Sequence, residues 1–337
     1  MGIRHAAIAA VLALASIMAS AQPTETDCVA IEDKLDRLDC YDKLHHRPPD
    51  PVPGTTTAEP VRLPPRNGTS LTERWDLDGR KSDLFWPTVY RPVYILFANW
   101  TNRTNTQPSS PSPGHTESSP FTLSPVEAKY QLSLKSKFWQ FDNGVSVWGA
   151  YTQSSRWQVY NAADSRPFRE TNYEPEVIFV KPLLLPFAGG NFRMASLAFN
   201  HQSNGRALPL SRSWNRIVGA LVYEKGDWTV EARPWWRWPE DPSSDDNPDI
   251  SDYAGRGELR ITRRFGKHVL STQLRHSLRA GSRSHGSVQV DYVFPVPWLH
   301  DTLHGQLQLF NGYAESMIDY NVRQTRIGFG FTIAGWQ

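Results

Sequence analysis

From Lys129 the chain alternates with period two. Tyr130, Leu132 and Leu134 are apolar, while Lys129, Gln131, Ser133 and Lys135 between them are polar. That period predicts a strand with one apolar and one polar face. The alternation returns five times. Trp228, Val230 and Ala232 oppose Thr229, Glu231 and Arg233; Leu270 and Leu274 oppose Ser271, Gln273 and Arg275. Val288, Val290, Tyr292 and Phe294 oppose Gln289 and Asp291; Leu307 and Leu309 oppose Gln306 and Gln308. Ile327, Phe329, Phe331 and Ile333 oppose Arg326, Gly328, Gly330 and Thr332. Weaker runs near 91–99, 145–152, 171–180, 192–201, 214–223 and 253–263 bring the total to about twelve strands. No strong helical pattern separates them, which excludes a parallel βαβ design.

A soluble sandwich and a membrane barrel share this alternation, and the connections tell them apart. Gln140–Gly144, Glu224–Asp227 and Phe265–Lys267 are tight turns, whereas Gln202–Ser213, Pro239–Asp252 and Arg279–Gly286 are longer. Short periplasmic turns alternating with long outer loops belong to a transmembrane barrel. Trp86, Tyr90, Trp100, Trp235, Trp236, Trp238 and Trp298 stand near strand ends, the places of an interfacial aromatic girdle. The expected fold is all-β: a 12-stranded antiparallel transmembrane β-barrel. A mean hydropathy of −0.50 excludes a polytopic helical membrane protein, whose spans need about 20 mostly apolar residues each. A formal charge of +2 sets aside nucleic acid as a partner. Lys135, Glu231, Arg233, Asp291 and Arg326 fall on polar faces and are expected to pair inside the barrel.

The N-terminal region reads differently. Arg4 and His5 precede an apolar run from Ala6 to Ala15, and Ala19-Ser20-Ala21 follows. Charge, run and small residues in that order predict an export signal over 1–21. Cys28 and Cys40 are then expected to form a disulfide in an oxidising compartment. Ile31, Leu35 and Leu38 between them have helical spacing, predicting a stapled helical hairpin or turn. Arg47–Pro65 holds seven prolines and reads as an extended linker. The resulting division is 1–21 signal, 22–83 periplasmic segment and linker, 84–337 barrel. Gln107–Pro120, rich in proline and serine, is a long loop.

Candidate chemistry lies in one stretch. His201 and Ser203 are two apart, so a strand turns both to one face. A serine becomes nucleophilic when a histidine accepts its proton, and the histidine needs an acceptor to fix its tautomer. Asn215 stands across the loop at the start of the next strand and can supply that oxygen. By parity these residues share the apolar side with Leu197, Phe199 and Ile217. A neutral asparagine costs far less there than an aspartate anion. A lipid-facing nucleophile suits membrane lipids as substrate. Pro239–Asp252 carries six acidic residues but lacks the glycine and closing glutamate of an EF-hand loop, so it reads as a structural acidic outer loop.

The segment His201-Gln-Ser203-Asn-Gly205-Arg206, continued by Ser211-Arg-Ser213-Trp-Asn215-Arg216, resembles the active-site region of the outer membrane phospholipase A family. Three more blocks match in order: Ser165 to Pro175, Asp245 to Ile250, and Glu315 to Asn321 followed by Gln324-Thr-Arg326. The resemblance covers roughly Leu84 to Phe331 and implies a calcium-dependent hydrolase of phospholipid acyl esters, with phospholipase A1, A2 and lysophospholipase action. It implies Ser203 as nucleophile, His201 as general base, and Asn215 as the residue orienting His201. The Ser203 backbone N–H, with that of Gly205, would serve an oxyanion hole. The calcium ligands implied are the Arg206 carbonyl, the Ser211 side chain and the Ser165 carbonyl of a partner subunit. Gln153 matches a glutamine at the family's dimer interface, so activity would depend on homodimerisation among outer membrane lipids. The cystine segment is not part of the family barrel, and Arg166 stands where a smaller residue is usual. The competing reading is a non-enzymatic barrel, a small porin or adhesin.

Overall fold

The computed structural model describes residues 25–45, 70–78, 84–297, 299–300 and 303–335. The export signal, the proline linker and Trp298 lie outside the described residues. The chain forms two compact units, Met1–Arg66 and Asn67–Gln337. In the first, α1 (Glu25–Val29) and α2 (Lys34–Leu44) form a hairpin whose Cys28 and Cys40 are disulfide-bonded.

The second unit is a barrel. After a two-residue bridge, β1 (Thr88–Val89), come β2 (Val93–Thr101), β3 (Val126–Gln140), β4 (Ser146–Trp157), β5 (Phe168–Phe187), β6 (Gly190–Ser203) and β7 (Ser213–Lys225). β8 (Trp228–Arg237), β9 (Gly257–Phe265), β10 (His268–His276), β11 (Gly286–Pro295), β12 (His304–Gly312) and β13 (Gln324–Ala334) follow. Each of β2–β13 pairs antiparallel with its chain neighbours, and β13 pairs with β2, so twelve strands of the described residues close on themselves. All twelve anticipated runs contain a strand, although β5 reaches well beyond 171–180 at its C-terminal end and the run near 253–263 becomes a strand only from Gly257. The long connections 102–125, 158–167, 204–212, 238–256, 277–285 and 313–323 collect at one end, opposite the tight turns.

The side chains are turned inside out relative to a soluble protein. Leu132 and Leu134 are 52% and 50% exposed, while Ser133 and Lys135 beside them are buried. The outer face meets hydrocarbon and the inner face a polar lumen, so both solvents are satisfied. The lumen is filled by ion pairs. Glu127 accepts from Arg169 at 2.9 Å and Arg326 at 2.6 Å. Glu315 meets Lys129 at 2.8 Å and Arg156 at 3.1 Å, and Arg233 reaches Glu176 at 3.5 Å. One lumenal charge departs from the expected pairing. Asp291 is held by three amides, from Gln289, Gln306 and Gln308, at 2.7 to 3.0 Å. A narrow lumen rich in amides offers such partners at no greater distance than a countercharge. Lys135 sits 4.5 Å from the Trp75 ring centroid and donates to the Val89 carbonyl.

Trp75 belongs to α3 (Leu71–Trp75), capped by the Ser70 hydroxyl on Glu73 N–H at 3.2 Å. α3 packs inside the barrel at its short-turn end, with Trp75 edge-on to Tyr90 and Trp148. Residues from Asn67 therefore group with the barrel rather than with the preceding linker. The girdle expectation also needs correction. Trp86, Trp100, Trp236 and Trp238 are exposed, but Tyr90 is buried and Trp235 packs into the interior. Trp235 and Trp236 are adjacent, so one strand must send them to opposite faces.

Removing a shared lumenal acid tests this filling. Glu127→Ala would leave Arg169 without its 2.9 Å partner and Arg326 without its 2.6 Å one. Breaking a buried pair costs about 3–5 kcal/mol. Urea unfolding of the detergent-solubilised barrel should show a loss of that size, and an unchanged midpoint would contradict it.

Candidate active site

β6 and β7 meet in register at the long-loop end, with His201 opposite Asn215 and Ser203 opposite Ser213. His201 Nδ1 and Asn215 Oδ1 are 2.8 Å apart, joined by a hydrogen bond on the outer face. Ser203 follows two residues on with the same parity, and Phe199 and Leu197 precede on that face, 50% and 47% exposed. The imidazole therefore stands among lipid-facing side chains. A groove beside it is lined by Pro175, Val177, Phe199, His201, Asn215 and Trp238.

The lumenal side of the same two strands is braced. Trp214, buried between Ser213 and Asn215, donates through Nε1 to Gln202 Oε1 at 2.8 Å. The Arg216 guanidinium lies 4.2 Å from the Trp214 ring centroid and bonds Glu174 at 3.0 Å. A helical turn, α4 (Ile250–Tyr253), packs with Trp214, Met317 and Tyr320 over the lumen. Alternation thus gives the site an apolar outer side and a hydrogen-bonded inner one.

The loop 204–212 is stapled by Asn204. Its side chain donates to the Leu210 carbonyl at 2.8 Å and accepts from Arg212 N–H at 3.0 Å. Gly205 has φ +61, and a Cβ there would come to 3.0 Å from the Tyr173 ring, so a side chain would strain the backbone and crowd that ring. Arg206 ties the loop to β5 through the Phe168 and Arg169 carbonyls at 2.8 and 2.9 Å. Ser165, in the neighbouring loop 158–167, is exposed with φ +58, and Arg166 follows at φ +54. Gln153, on the outer face of β4, accepts from the Tyr151 hydroxyl at 3.2 Å.

Two participants escape the sequence reading, and both come from the acidic loop. Asp246 Oδ2 accepts from the Ser211 hydroxyl at 2.7 Å and from Ser213 at 3.1 Å, while Oδ1 meets His115 Nε2 at 2.9 Å. Burial works against its charge, yet the hydrogen bonds from Ser211, His115 and Ser213 win, and its carboxyl lies below the usual range. Glu240 Oε1 accepts from Asn215 Nδ2 at 3.1 Å. Six acidic residues in one loop look solvated in sequence, because nothing local reveals that the loop folds back onto β7. The available signal is the matching Asp245–Ile250 block. Asn247, fully buried, accepts from Ser213 N–H at 2.9 Å and docks the loop there.

The profile of the family described as phospholipase A1 matches residues 71–333. The chain belongs to the phospholipase A1 family. Phospholipase A1 of Salmonella typhimurium is 44% identical over 208 residues, 60% of this chain and 68% of the relative. The crystal structure of the Salmonella typhi outer membrane phospholipase dimer with bound calcium superposes with a TM-score of 0.66 at 34% identity, covering 75% of this chain and 94% of that one. Outer membrane phospholipase A of Escherichia coli gives a TM-score of 0.66 at 33% identity, covering 75% and 100%. The protein is a phospholipase in an outer-membrane β-barrel. The porin-or-adhesin reading is thereby set aside.

Proposed function

We propose that this phospholipase hydrolyses the acyl esters of membrane phospholipids with Ser203 as nucleophile, His201 as base and Asn215 as orienting residue, in a calcium-bound homodimer. The observation that carries the reading is the 2.8 Å bond from His201 Nδ1 to Asn215 Oδ1 on the lipid-facing side of the barrel. An oxygen acceptor keeps the proton on Nδ1 and leaves Nε2 to take the Ser203 proton. As Ser203 Oγ adds to the acyl carbonyl, His201 becomes imidazolium, then returns the proton to the departing glycerol or lysolipid oxygen. Water repeats the sequence on the acyl-serine and releases the fatty acid. The Ser203 and Gly205 N–H groups are the donors proposed for the oxyanion. The groove ending in Phe199 and Trp238 suits an acyl chain.

The donors near Ser211 fit a hard divalent cation. Ser211 spends its proton on Asp246, so its lone pairs remain free, and the Asp246 carboxylate supplies charge. Arg206 O and Ser211 Oγ would hold calcium with the Ser165 carbonyl of the partner subunit, and Ser165 lies in an exposed loop. Calcium there would act as a Lewis acid on the ester carbonyl. Among the described residues no three of His, Cys, Asp and Glu converge, so the set is one of hydroxyl, carbonyl and a single carboxylate oxygen source. Gln153 and Thr171 put polar side chains on the lipid-facing parity, half-buried by their neighbours. Such groups are costly when bare to hydrocarbon, which supports dimerisation over this face.

Graded substitutions test the assignment. Asn215→Ala should lower kcat by about 10- to 100-fold, the value of one orienting hydrogen bond. His201→Ala should leave no measurable turnover. If Asn215→Ala were as inactive as His201→Ala, an orienting role for Asn215 would be wrong.

A further inference from the structure

Asn215 is gripped twice by the segment that leaves β8. Its backbone carbonyl accepts from Trp238 N–H at 2.8 Å, and its side-chain Nδ2 donates to Glu240 Oε1 at 3.1 Å. Pro239, with its restricted φ, joins the two contacts. The triad reading assigns nothing to Glu240.

A side-chain amide can offer either its oxygen or its nitrogen to a histidine, and the two ends are nearly equal in shape. A carboxylate can only accept. With Glu240 ionised, one orientation alone satisfies both neighbours: Nδ2 toward Glu240 and Oδ1 toward His201. An acceptor at Oδ1 in turn requires a proton on Nδ1, and Nε2 is left as the base. We infer that Glu240 is a positioning residue of the reaction: its accept-only carboxylate sets the amide orientation of Asn215, and through it the tautomer of His201. The inference rests on the roles proposed above for His201, Ser203 and Asn215.

Other groups face Glu240. Arg237 lies 3.6 Å away on the same segment, and Asp245 and Asp246 stand on the loop beyond it. Burial pushes the Glu240 carboxyl above its ordinary range, Arg237 opposes this, and Asp245 and Asp246 add to it.

The test uses the full-length protein in phospholipid–detergent micelles, with kcat and KM measured for each variant. Glu240→Leu should lower kcat about tenfold with KM unchanged. Glu240→Gln, which can still accept, should lose only about threefold in kcat. The Asn215→Asp background should reverse the sign. Two carboxylates at about 3 Å repel, so adding Glu240→Gln there should raise kcat.

Ser203→Ala is run alongside. Should it keep activity, the triad reading fails and the inference falls with it. Should it be inactive while Glu240→Leu keeps wild-type kcat, the triad stands and the role of Glu240 is refuted. A lowered kcat with no gain from Glu240→Gln in the Asn215→Asp background also overturns it, since that marks a merely structural loop. If Glu240→Leu does not fold, the Gln variant and the double variant decide alone.

Discussion

Ser203→Ala is expected to abolish fatty-acid release, by about 10⁴-fold or more, while the barrel stays folded. The size follows from what the hydroxyl does. Without it no acyl-serine forms, and His201 is left with no proton to take from the protein. Groups acting as one unit lose nearly everything when one is removed. The fold should be indifferent, because Ser203 ends β6 on the outer face and carries no lumenal ion pair. The measurement is fatty acid released from a phospholipid in detergent micelles, with heat-modifiable migration on gels as the fold control. Full hydrolysis by a folded Ser203→Ala barrel would remove Ser203 from the mechanism and direct attention to another nucleophile.

Chelation of calcium should produce the second largest effect, a fall of about 100-fold or more, reversed by added calcium. The proposed donors are Arg206 O, Ser211 Oγ and the Ser165 carbonyl of the partner subunit, with Asp246 supplying charge. A site divided between two chains makes metal binding and dimerisation interdependent by linkage. Calcium should therefore raise the dimer fraction seen by cross-linking in micelles. Asp246→Asn should raise the calcium needed for half-maximal activity, because it removes the carboxylate that Ser211 bonds at 2.7 Å. Activity that persists in excess chelator, with an unchanged dimer fraction, would sink the calcium proposal.

The legible part of the fold is the part written as period two. Leu132 and Leu134 against Ser133 and Lys135 state which face meets lipid, because strand geometry leaves no other choice. His201, Ser203 and Asn215 are legible for the same reason: parity puts them on one side before any pairing is known. Tyr90 and Trp235 break the girdle expectation because aromatic character alone does not carry a side. Asp291 is expected to find a countercharge, but glutamine amides take its place. Asp246 and Glu240 are hidden in a loop whose acidity suggests solvent.

The sequence by itself determined the alternation, hence the twelve strands, the outward leucines and the common face of His201 and Ser203. These follow from local geometry, which repeats every two residues and needs no knowledge of distant chain. Only the tertiary structure decided what the loops do. Asp246 reaches Ser211 across 35 residues of chain and Glu240 reaches Asn215 across 25, because closing the barrel gathers all the long connections at one end. No periodicity encodes such contacts. They depend on where a buried Asn247 docks a loop on β7, which is a matter of packing between segments rather than of pattern within one.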